Sequence, residues 1–156
     1  MKKLPLLPTI IGTGFGSGFW PWGPGTAGAL TGMLIWYALS FMLNSTLLFA
    51  VTLSCIVVFT IAGTWAVRRL SPFWGSDPQK VVIDEMVGVW VPLLAVPASD
   101  IWLVLASFVL FRLFDILKPL GIRTLDRRKG AFYVMADDIL AGVYSLIIIV
   151  AVQWII

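Results

Sequence analysis

Histidine is absent from this 156-residue chain, and cysteine occurs once. The first absence excludes every mechanism that needs an imidazole base, nucleophile or metal ligand. The second excludes an intrachain disulfide. Cys55 lies in an apolar run without the basic neighbours that favour a thiolate, so it reads as packing. Charge is scarce as well: Asp, Glu, Lys and Arg make up 12% of the residues, about half the share usual in soluble domains. Chemistry must therefore come from carboxylates, Lys/Arg, hydroxyls or a metal. A signal-peptide core is also lacking. The basic start Met1-Lys2-Lys3 runs into Pro8 and the glycines from Gly12 onward, so no cleaved targeting segment is expected.

What is present is apolar length: 60% of the residues are hydrophobic. Five apolar segments cover residues 27–43, 46–66, 81–97, 101–117 and 138–156. Each is close to the roughly 20 residues that cross hydrocarbon as a helix, the only open-ended fold that satisfies its own backbone there. The third is the shortest in purely apolar terms, from Met86 to Pro97. It crosses only with Asp84 and Glu85 near the headgroups, or else it is re-entrant or tilted. The expected fold is all-α: one polytopic membrane bundle of about five embedded helices, with residues 1–26 a glycine-rich cytoplasmic or interfacial segment and 27–156 the bundle.

The basic residues orient it. Lys2, Lys3, Arg68, Arg69, Lys80, Lys118, Arg123, Arg127, Arg128 and Lys129 fall on one side of a five-span arrangement; of the eleven, only Arg112 lies inside a helix. The positive-inside rule makes that side, and the N-terminus, cytoplasmic.

The acidic residues then converge. Asp84 and Glu85 start the third span, Asp115 ends the fourth, and Asp137 and Asp138 start the fifth, all at the cytoplasmic face. Aspartate is too short to snorkel well, and adjacent acids repel one another unless a cation sits among them. A hard divalent ion such as Mg2+ suits such oxygens; unlinked interfacial charges are the plainer alternative. Arg112, Asp115 and Lys118 follow at i, i+3 and i+6. Arg112 suits either a structural pair with Asp115 or a bidentate grip on phosphate, and Lys118, stopped by Pro119, suits a phosphoryl oxygen at the mouth. The run from Arg123 to Lys129 reads as a contact for anionic headgroups.

Glycines carry two further readings. Gly12 to Gly18 and Pro21 to Thr26 lack the Gly-Lys-Ser/Thr ending of a Walker loop, yet their N–H groups suit an anion cradle as well as a flexible lead-in with interfacial Trp20 and Trp22. Gly28 and Gly32 form a G-x-x-x-G, Ala62, Gly63 and Ala66 line the second span, and Ala141, Gly142 and Ser145 line the fifth. All invite close helix contact, and the Gly28/Gly32 face offers a homo-oligomer surface.

In order along the chain stand Gly14-Phe15-Gly16-Ser17-Gly18, Pro24-Gly25-Thr26, Asp84-Glu85, Phe111-Arg112-x-Phe114-Asp115-x-x-Lys118-Pro119 and Asp137-Asp138-x-x-Ala141-Gly142. This ordered set resembles the phosphatidylglycerophosphatase A family over nearly the whole chain. Two positions depart from the family pattern: Gly121 stands where a second proline is common, and Ala29 where a serine is. The resemblance implies a multi-pass enzyme of the bacterial cytoplasmic membrane, with its site on the cytoplasmic side. It implies Mg2+-dependent hydrolysis of the terminal phosphomonoester of phosphatidylglycerophosphate to phosphatidylglycerol. Catalytic roles pass to Asp84, Glu85, Asp115, Lys118, Asp137 and Asp138, with Asp84, Asp137 and Asp138 as metal ligands. Substrate contacts pass to Arg112, Lys118, Gly25 and Thr26. The expected partners are the lipid substrate and membrane lipids, with no nucleic acid. Attack by water and attack by an aspartate both fit these residues. A small transporter or channel using the Arg/Asp cluster is the rival reading, disfavoured because the charges sit at one face rather than at the midplane. An alcohol-exchange phosphotransferase would need a D-x-x-D-G-x-x-A-R pattern that the chain lacks.

Overall fold

The computed structural model describes residues 3–75, 78–119 and 121–155, so Lys2 and Asp77 lie outside the described residues. Among them the secondary structure is entirely helical. In chain order it comprises α1 (Leu6–Gly12), a 3-10 turn (Ser17–Phe19), α2 (Pro24–Ser40), α3 (Ser45–Trp74), α4 (Ile83–Leu93), α5 (Ile101–Leu117), α6 (Ile122–Asp126) and α7 (Ala131–Ile155).

Local chemistry sets the ends. Asn44 caps α3 by accepting from the Leu47 N–H at 2.9 Å. Asp100 caps α5, accepting from the N–H groups of Trp102 and Leu103 at 3.1 Å. Pro24 occupies the first position of α2, where its missing N–H costs nothing. At the other end of α5, Lys118 is left-handed with φ 46°, and Pro119 prevents continuation.

Two helices, α3 and α7, are long and apolar enough to cross a membrane, and only 17% and 39% of their apolar windows are buried within the protein. A soluble core helix would hide most of that surface; here it faces outward. α3 runs eight residues beyond the expected end at Ala66, because Arg68 and Arg69 end the apolar window without ending the helix. Pro72 leaves the Arg68 carbonyl without its helical donor, and the Ser71 hydroxyl donates to it at 3.2 Å. α7 likewise starts at Ala131, seven residues before the expected Asp138.

α4 is the hub. Ten of its 11 residues are buried, all but Glu85, so it is apolar on every side below its first turn. It packs chiefly on α7 and α2. At about 16 Å it is too short to span alone. The turn after it extends its reach: the Gln153 side chain, near the end of α7, donates to the Ala95 carbonyl at 2.9 Å.

Missing side chains bring the helices this close. A Cβ on Gly28 would lie 2.5 Å from the Cβ of Val82, and one on Gly32 would lie 3.1 Å from the Cα of Met86. The G-x-x-x-G face of α2 is therefore filled by residues 82–89 of the same chain and is closed to the homo-oligomer contact its sequence invites. A Cβ on Gly142 would run into the Gly88 carbonyl oxygen, so α4 and α7 meet backbone to backbone.

The first glycine run is neither lead-in nor cradle. The N–H groups of Gly14, Gly16 and Gly18 bond to Ile11 and Thr13 carbonyls, and the Gly12 carbonyl accepts from the Val82 N–H at 2.8 Å. This segment is a packed wedge under residues 80–82.

Candidate active site

Gly88 and Gly142 are each one helical turn past an acid, Asp84 on α4 and Asp138 on α7. Both helices run in the same direction through their glycine contact. Carboxylates one turn before it are therefore brought side by side. One oxygen from each of Asp84, Glu85 and Asp138 lies within 4.8 Å of the others. From the opposite direction, the end of α5 brings Arg112, Asp115 and Lys118. Arg112 pairs with Asp115, and Lys118 pairs with Asp126 and, at 2.7 Å, with Asp137. The first turn of α2 closes the roof: a Cβ on Gly25 would overlap the Glu85 carboxylate and lie 3.3 Å from Arg112 Nη2.

Together these groups line a cavity of about 600 Å³. Its floor is acidic and dry, with Asp84, Asp115, Asp137 and Asp138 only 3–8% exposed. Arg127, Arg128, Lys129 and Tyr133 line it further out. Helix dipoles match this distribution. Asp84 and Glu85 occupy the first turn of α4, where negative charge is favoured, and Lys118 sits at the α5 C-cap, where positive charge is. Burial opposes the Lys118 charge, but the Asp126 and Asp137 carboxylates outweigh it and hold its pKa above the usual lysine range.

Several oxygens at the floor lack a partner: Asp84 Oδ1, Glu85 Oε2 and Asp137 Oδ1, together with Arg112 Nε. Buried carboxylate oxygens without donors are costly, and three acids converging without a neutralising group more so. A hard cation with oxygen preference answers both deficits, so the donor set fits Mg2+.

Every expected site residue except Thr26 lines this cavity. Thr26 lines a separate apolar groove on α2. The carboxylates that meet are Asp84, Glu85 and Asp138, whereas Asp137 turns to Lys118. The reason is geometric: neighbours on a helix point about 100° apart, so Asp137 and Asp138 do not aim at one spot. Glu85 follows Asp84 in the same way, but its side chain is longer by a methylene. Lys118, expected to bind phosphate, uses its ammonium on Asp126 and Asp137. Of the run Arg123–Lys129, expected at lipid headgroups, residues 126–129 line the cavity. Asp126 was not expected here at all; its only sequence signal is being the lone acid in a basic run.

A family model described as phosphatidylglycerophosphatase A matches residues 10–153. The chain belongs to the phosphatidylglycerophosphatase A family. Two relatives carry that name. One, from Haemophilus influenzae, is 36% identical, with 99% of this chain and 94% of the relative covered. The other, from Escherichia coli, is 36% identical over 87% of this chain and 77% of the relative. A protein of Bacteroides thetaiotaomicron, 56% identical over 100% of this chain and 99% of its own, is named "Putative phosphatidylinositol-3-phosphatase". No solved structure matches the chain. As a phosphatidylglycerophosphatase A family member, the protein is a lipid phosphatase. Of its five family-like stretches, four converge on the acidic cavity, and Gly14–Gly18 instead supports it from below residues 80–82.

Proposed function

We propose that the protein hydrolyses phosphatidylglycerophosphate to phosphatidylglycerol and phosphate, using Mg2+, at the cytoplasmic face of a bacterial cytoplasmic membrane. The observation that carries this reading is the buried Asp84–Glu85–Asp138 cluster, opening into a cavity with a basic rim, in a chain of this family.

The proposed topology has α2, α3, α5 and α7 crossing the bilayer and α4 embedded among them. Arg68, Arg69, Lys80, Arg123 and Arg127–Lys129 lie toward the cavity end, and the turns at the other end carry no Lys or Arg, which supports a cytoplasmic site by the positive-inside rule. The first two turns of α7 then stand proud of the membrane with α6.

Asp84, Glu85 and Asp138 would hold Mg2+. When bound, it supplies charge neutralisation and polarisation at a phosphoryl oxygen. Arg112, fixed by Asp115, keeps N–H groups, Nε among them, for the other phosphoryl oxygens. Lys118 holds Asp137 by Oδ2, so the unpartnered Oδ1 orients a water and takes its proton. Attack forms one P–O bond and breaks the bond to glycerol, whose oxygen takes a proton at the wet cavity mouth. The basic rim draws the dianionic headgroup inward.

Phosphatidylinositol 3-phosphate is the second reading, favoured by the name of the Bacteroides relative. The terminal phosphate of a slender glycerol chain suits acids 3–8% exposed beneath Gly25 better than a phosphate on a ring. Purified protein assayed for Mg2+-dependent phosphate release from phosphatidylglycerophosphate, phosphatidylinositol 3-phosphate and phosphatidic acid separates these readings. Phosphatidylglycerophosphate should be preferred at least tenfold, and chelation should abolish release. Flux of an ion with no hydrolysis would restore the transporter reading. A phosphorylated aspartate trapped from labelled substrate would replace water attack by nucleophilic attack of Asp137.

A further inference from the structure

Beside the acidic cavity, on the outer side of the first turn of α2, lies an apolar groove of about 610 Å³. Phe19, Trp20 and Trp22 form one wall, and Ala27, Leu30 and Leu34 form the other. The two hollows share Pro21: Gly23 to Gly25 face the acids, and Thr26 and Ala27 face the groove. The ridge between them is thus a single helical turn.

We propose that this groove seats one acyl chain of the lipid whose phosphate enters the acidic cavity. The inference rests on the lipid-phosphatase reading above. Four observations support an acyl chain as occupant. The groove adjoins the phosphate cavity, with Pro21 lining both. It descends along α2 from Ala27 to Leu34, about 10 Å from the headgroup level toward the hydrocarbon. Its upper wall carries two tryptophans of the kind that settle at a membrane interface, Trp20 and Trp22, edge to face at 6.0 Å. That wall is also braced: Lys80 Nζ lies 6.0 Å from the Phe19 ring centre and 5.7 Å from that of Trp74. Thr26, on the ridge, lines the groove, giving it a lipid contact distinct from the phosphate.

A chain leaving the bilayer for this groove gains no hydrophobic free energy, since both surroundings are apolar. Its benefit is positional, holding the headgroup over the acids. The test therefore compares chain lengths. Dioleoyl and dihexanoyl phosphatidylglycerophosphate are hydrolysed in mixed micelles by the full-length protein with Mg2+. Measured are kcat/KM for each, in wild type and in Ala27→Trp, Leu34→Trp and Val57→Trp. Val57 is an exposed site on α3 away from the groove. The long-to-short ratio should fall at least tenfold in the two groove variants and stay unchanged in V57W. If A27W does not fold, L34W decides alone. An unchanged ratio in every folded groove variant overturns the proposal, while wild type hydrolysing neither lipid overturns the phosphatase reading beneath it. A shift from dimer to monomer in a groove variant, with the ratio unchanged, would give the groove to a second copy and equally overturn it.

Discussion

At the residue scale, like residues differ by where the helices put them. Asp138 is buried among other acids, whereas Asp100 spends its carboxylate on the first N–H groups of α5. Asp138→Asn should lower kcat by about 100-fold or more, the range seen when a group acting on transition-state charge is removed. Asp100→Asn keeps an acceptor at the cap and should leave turnover unchanged. A melting series with and without Mg2+ gives an independent check. Wild type should gain about 2.7 kcal/mol at a hundred times the dissociation constant, and Asp138→Asn should lose that gain. Lys118 makes a second case. Lys118→Met leaves Asp137 without its cation, so the carboxylate is no longer aimed; kcat should fall about 10- to 100-fold with little change in KM. Five of the six acids at the site, all but Asp126, were legible from the sequence, because acids beside apolar spans are rare and these shared a depth. Which of them met was not legible. The order Asp137-Asp138 says only that two acids are adjacent, while the roughly 100° between them decides that one turns to Asp84 and Glu85 and the other to Lys118.

At the element scale, the site depends on a contact that involves none of its functional side chains. Gly88 and Gly142 let α4 and α7 touch one turn below the carboxylates. A side chain on Gly142 would meet the Gly88 backbone, which has no rotamer to yield. Gly142→Val should therefore separate the helices, costing about 1–3 kcal/mol and spreading the acids. The expected readout is loss of Mg2+-dependent stabilisation together with loss of turnover. Gly130→Ala, at an exposed residue with φ 137° where an added Cβ would meet the Tyr133 ring at 3.5 Å, should strain the start of α7 without separating α4 from α7. Element lengths were legible where charge and helix ended together, as at α5, found over the expected 101–117. They were not where helices continue into water. Asp138 interrupts the apolar window of α7 and Arg68 that of α3, yet neither breaks a helix. The role of α4 was half legible: its apolar stretch was visibly short, but nothing local announced that it would be enclosed on every side.

At the scale of the whole molecule, the two ends of the bundle differ in charge, and that difference makes a topology prediction. The cavity end carries Arg68, Arg69, Lys80, Arg123 and Arg127–Lys129, while the turns at Met42–Asn44 and Pro97–Asp100 carry no cation. An anionic inner leaflet attracts each juxtamembrane cation by about 1 kcal/mol, so seven of them make the inverted orientation unfavourable. Cys55, the single cysteine, is part-buried in α3 and can be replaced by serine to give a clean background. Thr124, Ser99 and Met42 are exposed and none lines the acidic cavity, so a cysteine at each reports on its own end. In intact cells a membrane-impermeant maleimide should label Ser99→Cys and Met42→Cys and spare Thr124→Cys until the membrane is opened. The reverse pattern would put the acidic cavity outside. Labelling of both ends in sealed cells would mean a mixed orientation, which the charge asymmetry forbids. The Ser99 result bears most directly on α4. It requires that an 11-residue helix and the short turn after it carry the chain from the acids to the outer surface. The Gln153–Ala95 hydrogen bond fixes that turn beside the far end of α7, and α7 is long enough to reach it.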